Sequence, residues 1–181
     1  MCQPSDEEDE DENEKTPSTS SSRNKPSPES HFIFQTNGER KDLRSLHPTP
    51  PQIIMLSDVF FSHVDPLFKV LHRPTVKKFL SAAADSLDHM AIGDGQEALM
   101  FAIYFAAVTS LSQEESLKLF HQDREVLSVY YKYGIEAALA NADFLNSMEL
   151  VTLQAFVLYL VSRSLGLVIS ESLWSLLYRP H

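Results

Sequence analysis

The 181-residue chain reads as an all-α protein, an irregular multi-helix bundle with a buried central helix, preceded by a disordered acidic and Ser/Pro-rich tail. Three observations predict this. Apolar residues recur at helical spacings from Ile53 onward, and no segment alternates as a strand would. One stretch, Ala98 to Val108, is apolar on all sides, which suits a helix enclosed by other helices. The first 45 residues hold 11 acidic and 6 basic side chains and few apolar ones.

The tail comes first. Asp6 to Glu14 carries eight carboxylates in nine positions, a block that repels itself and buries nothing. From Thr16 to Ser30, 11 of 15 residues are Ser, Thr or Pro, with no apolar face to offset the entropy of ordering. Disorder is therefore expected over 1–45, interrupted at most by the short apolar patch His31-Phe32-Ile33-Phe34, read as a stray apolar triplet in a linker. Order is expected near Leu46.

Thr49 reads as an N-cap and Pro50 as a first-turn residue, where a missing amide costs nothing. Ile53, Leu56, Phe60 and Val64 then form one helical face, and Asp65-Pro66 stops the helix. Leu67 to Leu71 is expected as a tucked-in extended or single-turn segment. Pro74 restarts a helix with Val76, Phe79 and Leu80 inward, and a loop with Gly93-Asp94-Gly95 follows. Glu97 to Leu111 is the central helix. Ser112-Gln113-Glu114-Glu115 has the form of a capping box and opens a short helix. After His121-Gln122-Asp123, a longer helix places Leu127, Tyr131, Ile135 and Leu139 on one face. Asn146-Ser147-Met148-Glu149 reads as a second capping box, launching a helix with Leu150, Leu153, Val157 and Leu160 inward. About six helices result.

Composition excludes several functions. A formal net charge of −10 opposes a nucleic-acid grip by the chain itself, because phosphate neutralisation needs surplus lysine and arginine. A single cysteine excludes a disulfide framework and multi-cysteine zinc sites among these residues. The acidic start is unlike a secretory signal, and the longest apolar run, 11 residues, is short of a membrane span, so no membrane role is expected.

No catalytic signature stands out: the five glycines are scattered, and there is no metal-binding HExxH pair, nucleophile elbow or calcium loop. His63 and His72 lie nine apart across a proline break, too far to share a helical face as metal ligands. Cys2 has no companion histidine, and adjacent Asp88 and His89 make a poor acid–base dyad. Phe101, Tyr104 and Phe105 would line any ligand pocket of a helical enzyme but are more simply core. Catalytic, cofactor-binding and metal sites are thus all read as none, and the chain as no enzyme. Regulatory chemistry is confined to the tail: Ser5 before Asp6-Glu7-Glu8 suits an acid-directed kinase, and Thr16-Pro17 and Ser27-Pro28 suit proline-directed ones, although a solubilising spacer is the simpler reading. Arg40, Lys41 and Arg44 are too thin a cluster for a nuclear import signal.

The strings LHPTPPQI, FFSHVDPLFKVLHRPTV, EALMFAIYFAAVTSLS, YKYGIEAALANADFLNS and LQAFVLYLV, in that order, resemble the fungal-specific transcription factor domain, the middle homology region of binuclear zinc cluster regulators. Leu71-His72-Arg73-Pro74-Thr75 and Ala142-Asp143-Phe144-Leu145 make the match specific, and it runs over 46–161, 116 of the 181 residues. Among such regulators the resemblance is greatest to those of secondary-metabolism gene clusters. It implies the N-terminal part of an all-helical regulatory domain, nuclear localisation, control of RNA polymerase II transcription, and protein partners that include related transcription regulators as dimers. Family members bind zinc, and through it DNA, with six cysteines; with only Cys2 here, neither zinc nor DNA is assigned to any residue, and no cofactor is expected. The alternative is a stand-alone helical interaction module that binds related regulators without DNA. Residues 162–181 diverge from the family pattern: either they pack as a substitute final helix, or the chain is a truncated fragment from a shifted frame or retained intron.

Overall fold

A computed structural model describes residues 40–86 and 91–168, and among them every regular element is helical. After a 3-10 turn at Arg44–Leu46 come α1 (Pro50–His63), α2 (Arg73–Ser86), α3 (Asp94–Ser110), α4 (Gln113–Phe120), α5 (Arg124–Asn141) and α6 (Leu150–Val168). The expected all-α class with about six helices is what these residues adopt.

Helix α3 is the hub. It packs against α1, α5 and α6, and every residue from Ala98 to Val108 is buried. Its apolar circumference leaves no polar face to turn to water, so other helices must enclose it. Two glycines set the closeness of that enclosure. A Cβ on Gly95 would lie 2.5 Å from Thr152 Oγ1 of α6, and one on Gly134 of α5 would lie 2.6 Å from Phe101 Cδ1 of α3. Either helix pair would have to move apart to admit a methyl group. α3 starts at Asp94, three residues before the expected Glu97, because Gly93 serves as its cap and donates its N–H to Gln96 Oε1 at 3.2 Å.

On one side, α1 and α2 form a pair. Ile53, Leu56, Phe60 and Val64 are buried as their spacing predicts, and α1 ends just before Asp65-Pro66. Arg73 and Lys77 of α2 lie over the ring of buried Phe61 at 5.2 and 5.3 Å, and Lys77 Nζ also reaches Asp58 Oδ1 at 3.2 Å. The intervening Val64–Leu71 segment turns once and buries Leu71, while Leu67, expected to be tucked in with it, is 57% exposed.

On the other side, the Ser112 capping box of α4 forms as expected: Ser112 N–H donates to Glu115 Oε2 at 2.8 Å and Glu115 N–H donates to Ser112 Oγ at 3.2 Å. His121 ends α4 in the left-handed region at φ 54°, and Asp123 caps α5 by accepting from Glu125 N–H at 2.8 Å. Leu127, Tyr131, Ile135 and Leu139 face the core, again as expected.

Three expectations need correction. Order was expected from Leu46, yet residues 40–45 are packed. Leu43 is buried, and Asn141 of α5 grips the backbone of Lys41 on both sides, accepting its N–H at 3.0 Å and donating to its carbonyl at 2.9 Å. One apolar residue and one amide clamp are too faint a pattern to read in polar sequence. Second, the capping box at Asn146 does not form. Asn146 Nδ2 donates instead to both carboxylate oxygens of Asp143, which sits at φ 43°, and α6 begins four residues on, at Leu150.

Third, α6 is turned the other way round. Thr152, Ala155, Leu158, Tyr159 and Ser162 are buried, whereas Leu150, Leu153 and Leu160, the expected inward face, are 69%, 57% and 44% exposed. Both faces of α6 offer helical spacing; the buried one sets Thr152 beside Gly95 and Tyr159 against Phe105 of α3.

Candidate interaction surface

Apolar side chains exposed on the outer helices are the features left unexplained by the core. They are most numerous on α5, where Val126, Val129, Tyr130 and Tyr133 point outward, and on α6, where Leu150, Leu153 and Leu160 do, with Ile54 on α1 and Leu117 and Leu119 on α4 in addition. On α6 they are joined by half-buried Val157 to make a continuous row at spacings of 3, 4 and 3. The buried row Thr152, Ala155, Tyr159 and Ser162 has the same spacings, so α6 carries two parallel seams, one used against α3 and one facing out. The shoulders of the outer seam are fixed. Gln154 Nε2 donates to the Val70 carbonyl at 2.9 Å on one side, and Phe156 stacks on Phe144 with centroids 4.9 Å apart on the other.

Polar chemistry inside the bundle is sparse. His47, 2% exposed at its side chain, sets Nε2 3.4 Å from Glu97 Oε1 and lies 4.5 Å, ring to ring, from Phe101. Neither His47 Nδ1 nor the hydroxyl of Tyr104 has a hydrogen-bond partner among the described residues. Burial, then neighbouring Tyr131 and Glu97, push the Tyr104 phenol well above its ordinary value. Tyr131 is raised by burial and then by Tyr130; Tyr159 is raised by burial and then by its hydrogen bond to Glu136, Oη to Oε1 at 2.6 Å. Phenols held protonated in this way are core struts and not nucleophiles at neutral pH.

The residues singled out in the sequence are dispersed. Phe101, Tyr104 and Phe105 are fully enclosed and line no open cleft. His63 Nδ1 is 3.5 Å from Ser110 Oγ, and His72 Nδ1 is 2.7 Å from Thr75 Oγ1 at the start of α2. Among the described residues no three of His, Cys, Asp and Glu converge as a metal site would require. A polar cleft of about 350 Å³ lies between residues 40–47 and the start of α3. Two of its cations are engaged: Arg40 pairs with Asp94, and Lys41 sits 5.2 Å over the Tyr133 ring. Cys2, Ser5, Thr16, Ser27, the His31–Phe34 patch, Asp88, His89 and residues 169–181 lie outside the described residues. Within them, no helix is long and apolar enough to cross a membrane.

Sequence reasoning missed the buried His47–Glu97 pair, whose partners are fifty residues apart, and the exposure of the α6 leucine row. The row itself was legible, but its direction was not.

The chain is 38% identical over 137 residues, 76% of its length, to the aurofusarin cluster transcription factor aurR2 of Gibberella zeae, of which the match covers 20%. It is 35% identical over 132 residues, 73% of its length, to the transcriptional regulator AacuB of Aspergillus aculeatus, of which 18% is covered. It is 39% identical over 110 residues, 61% of its length, to the C6 finger domain transcription factor nscR of Arthroderma gypseum, of which 16% is covered. The matched segment thus spans about a fifth or less of the length of these relatives. No family model matches the chain, and no solved structure matches it significantly.

Proposed function

From the premise that this chain is a homologue of fungal C6 finger transcription factors, we propose that its helices form part of the regulatory domain of a transcription factor, one that relays and does not catalyse. The observation that carries the reading is identity of 35% and 38% over about three quarters of the chain to two named transcriptional regulators. The structure supports it by what α3 is used for: its aromatic and aliphatic side chains fill a core and present no converging acid, base and nucleophile among the described residues.

The finer reading is a nuclear protein acting on RNA polymerase II transcription of a biosynthetic gene cluster, since aurR2 is named for such a cluster. Zinc does not fit these residues. Six cysteines are needed to hold the binuclear cluster that the sequence resemblance implies, and the chain has one. DNA contact through such a finger is therefore not assigned to any of these residues.

The test is genetic. Loss of the gene is expected to change transcript levels of a contiguous set of genes, and chromatin crosslinking is expected to recover the product from nuclei. Unaltered transcripts together with no nuclear recovery would sink the reading. A second reading, an interaction module that pairs with related regulators without touching DNA, is favoured by the exposed α6 seam. Pulldown with full-length regulators carrying the zinc cluster separates the two, because failure to enrich any of them removes the second.

A further inference from the structure

We infer that residues 40–47 are a latch laid along one face of α3, which opens as a unit while the helices stay folded and so serves as a switchable cover over Phe101 and Tyr104. The inference stands on packing and hydrogen bonding, independently of the transcriptional reading.

The latch follows a single line on α3. Asp94, Glu97, Phe101 and Tyr104 recur at spacings of 3, 4 and 3, one helical face. Arg40 pairs with Asp94. His47 meets Glu97 and lies against Phe101 and Tyr104, with ring centroids 4.5 and 6.1 Å away. Helix α5 holds the same segment from its other side. Asn141 grips the Lys41 backbone, the Tyr133 ring lies under the Lys41 ammonium, and Tyr130 Oη donates to the Ser45 carbonyl at 3.4 Å.

Each of these holds is weak alone. The segment has only the 3-10 turn at Arg44–Leu46 as structure of its own. Arg40 is 67% exposed, so its ion pair is screened by water. Leu43 is the one buried apolar side chain that the latch contributes. Underneath, the fit is incomplete: the 350 Å³ cleft separates the latch from the start of α3, and His47 Nδ1 finds no partner among the described residues. Few buried apolar contacts and exposed hydrogen bonds are the marks of a segment that opens at less cost than global unfolding. Helix α3 is the opposite case, buried throughout from Ala98 to Val108. Lifting the latch withdraws Leu43 and His47 and bares the aromatic face of α3 that they close.

Native-state hydrogen exchange of the full 181-residue chain, read by NMR in low urea, tests this. Leu46 N–H donates to the Leu43 carbonyl at 2.9 Å and His47 N–H to the Arg44 carbonyl at 3.3 Å, so both amides report on the latch. With the Lys41 amide they should share one protection, ~10-fold or more below that of mid-α3 amides, and depend little on urea because the opening exposes little surface. Asn141→Ala should speed Leu46 and His47, whose hydrogen bonds it leaves untouched, by ~10-fold. Leu43→Ala should do the same from within the latch, should the first variant misfold. Ile103→Val, fully buried and off the latch's face of α3, should speed the α3 amides several-fold and leave the latch amides unchanged, since the opened chain keeps Ile103 packed. Latch amides as slow as those of α3 and equally quickened by Ile103→Val would mean that the segment opens only with the whole chain, which overturns the inference. So would latch amides with no protection, or an Asn141→Ala variant that speeds Lys41 alone.

Discussion

Replacing Gly134 by alanine isolates the contact that sets the α3–α5 distance. In a helix with open space around it, this change should stabilise, because glycine is ~1 kcal/mol worse than alanine in a helix interior. Here the added Cβ would lie 2.6 Å from Phe101 Cδ1, 2.7 Å from Cε1 and 3.3 Å from Cγ. Carbon atoms attract best near 3.5–4.0 Å, so the overlap approaches ~1 Å. Phe101 has nowhere to go: it is fully buried, with His47 on one side at 4.5 Å and Tyr104 at 5.7 Å, ring to ring. Overpacking of a closed core costs ~1–3 kcal/mol, which exceeds the propensity gain over most of its range. Gly134→Ala is therefore expected to lose up to ~2 kcal/mol of stability and to gain none, read as a lower urea midpoint by circular dichroism at unchanged slope. Gly93→Ala is the control. Its nearest neighbour would be Gln96 Oε1 at 3.7 Å, an ordinary contact, and a change within ~0.5 kcal/mol is expected. If Gly134→Ala instead raised stability by ~1 kcal/mol, the close approach of α5 to α3 would be refuted and the packing around Phe101 would need redrawing.

Tyr104→Phe removes a buried hydroxyl that has no protein partner, so stability at neutral pH should hold or rise by up to ~1 kcal/mol; a loss of ~2 kcal/mol or more would mean that the hydroxyl is satisfied. The three raised phenols give stability an alkaline limit. The folded chain keeps protons that the unfolded chain releases above pH ~10, so stability is full below that pH and falls above it, by at most ~1.4 kcal/mol per pH unit for each tyrosine. Urea midpoints measured from pH 9 to 11.5 check this, and Tyr104→Phe should lessen the slope; a flat profile contradicts the burial of these phenols. His121→Gly relieves a left-handed residue at the end of α4 and should stabilise by up to ~1 kcal/mol in thermal unfolding, whereas a loss would show that the His121 side chain holds the turn.

Local chemistry was the part most open to reading. Thr49 and Ser112 mark helix starts because their neighbours Gln52 and Glu115 lie one turn on, a relation contained within four residues. The inward rows of α1 and α5 were legible from their constant helical spacing, although α5 also turns Val126, Val129, Tyr130 and Tyr133 outward. Burial of α3 followed from its having no polar face at all.

Where two local answers competed, only the assembled bundle could choose. Asn146 could cap a helix or hold Asp143 in a left-handed turn, and the turn prevailed. Helix α6 carries two seams of equal spacing. The face that turns in meets partners more than fifty residues away, with Thr152 beside Gly95 and Tyr159 against Phe105. Residues 40–45 are held by Asn141, a hundred residues downstream, and His47 meets Glu97 in the same way. Periodicity records which side chains share a face, a property of consecutive residues. Which face is buried depends on how closely two backbones approach, and that is set by residues far apart in the chain.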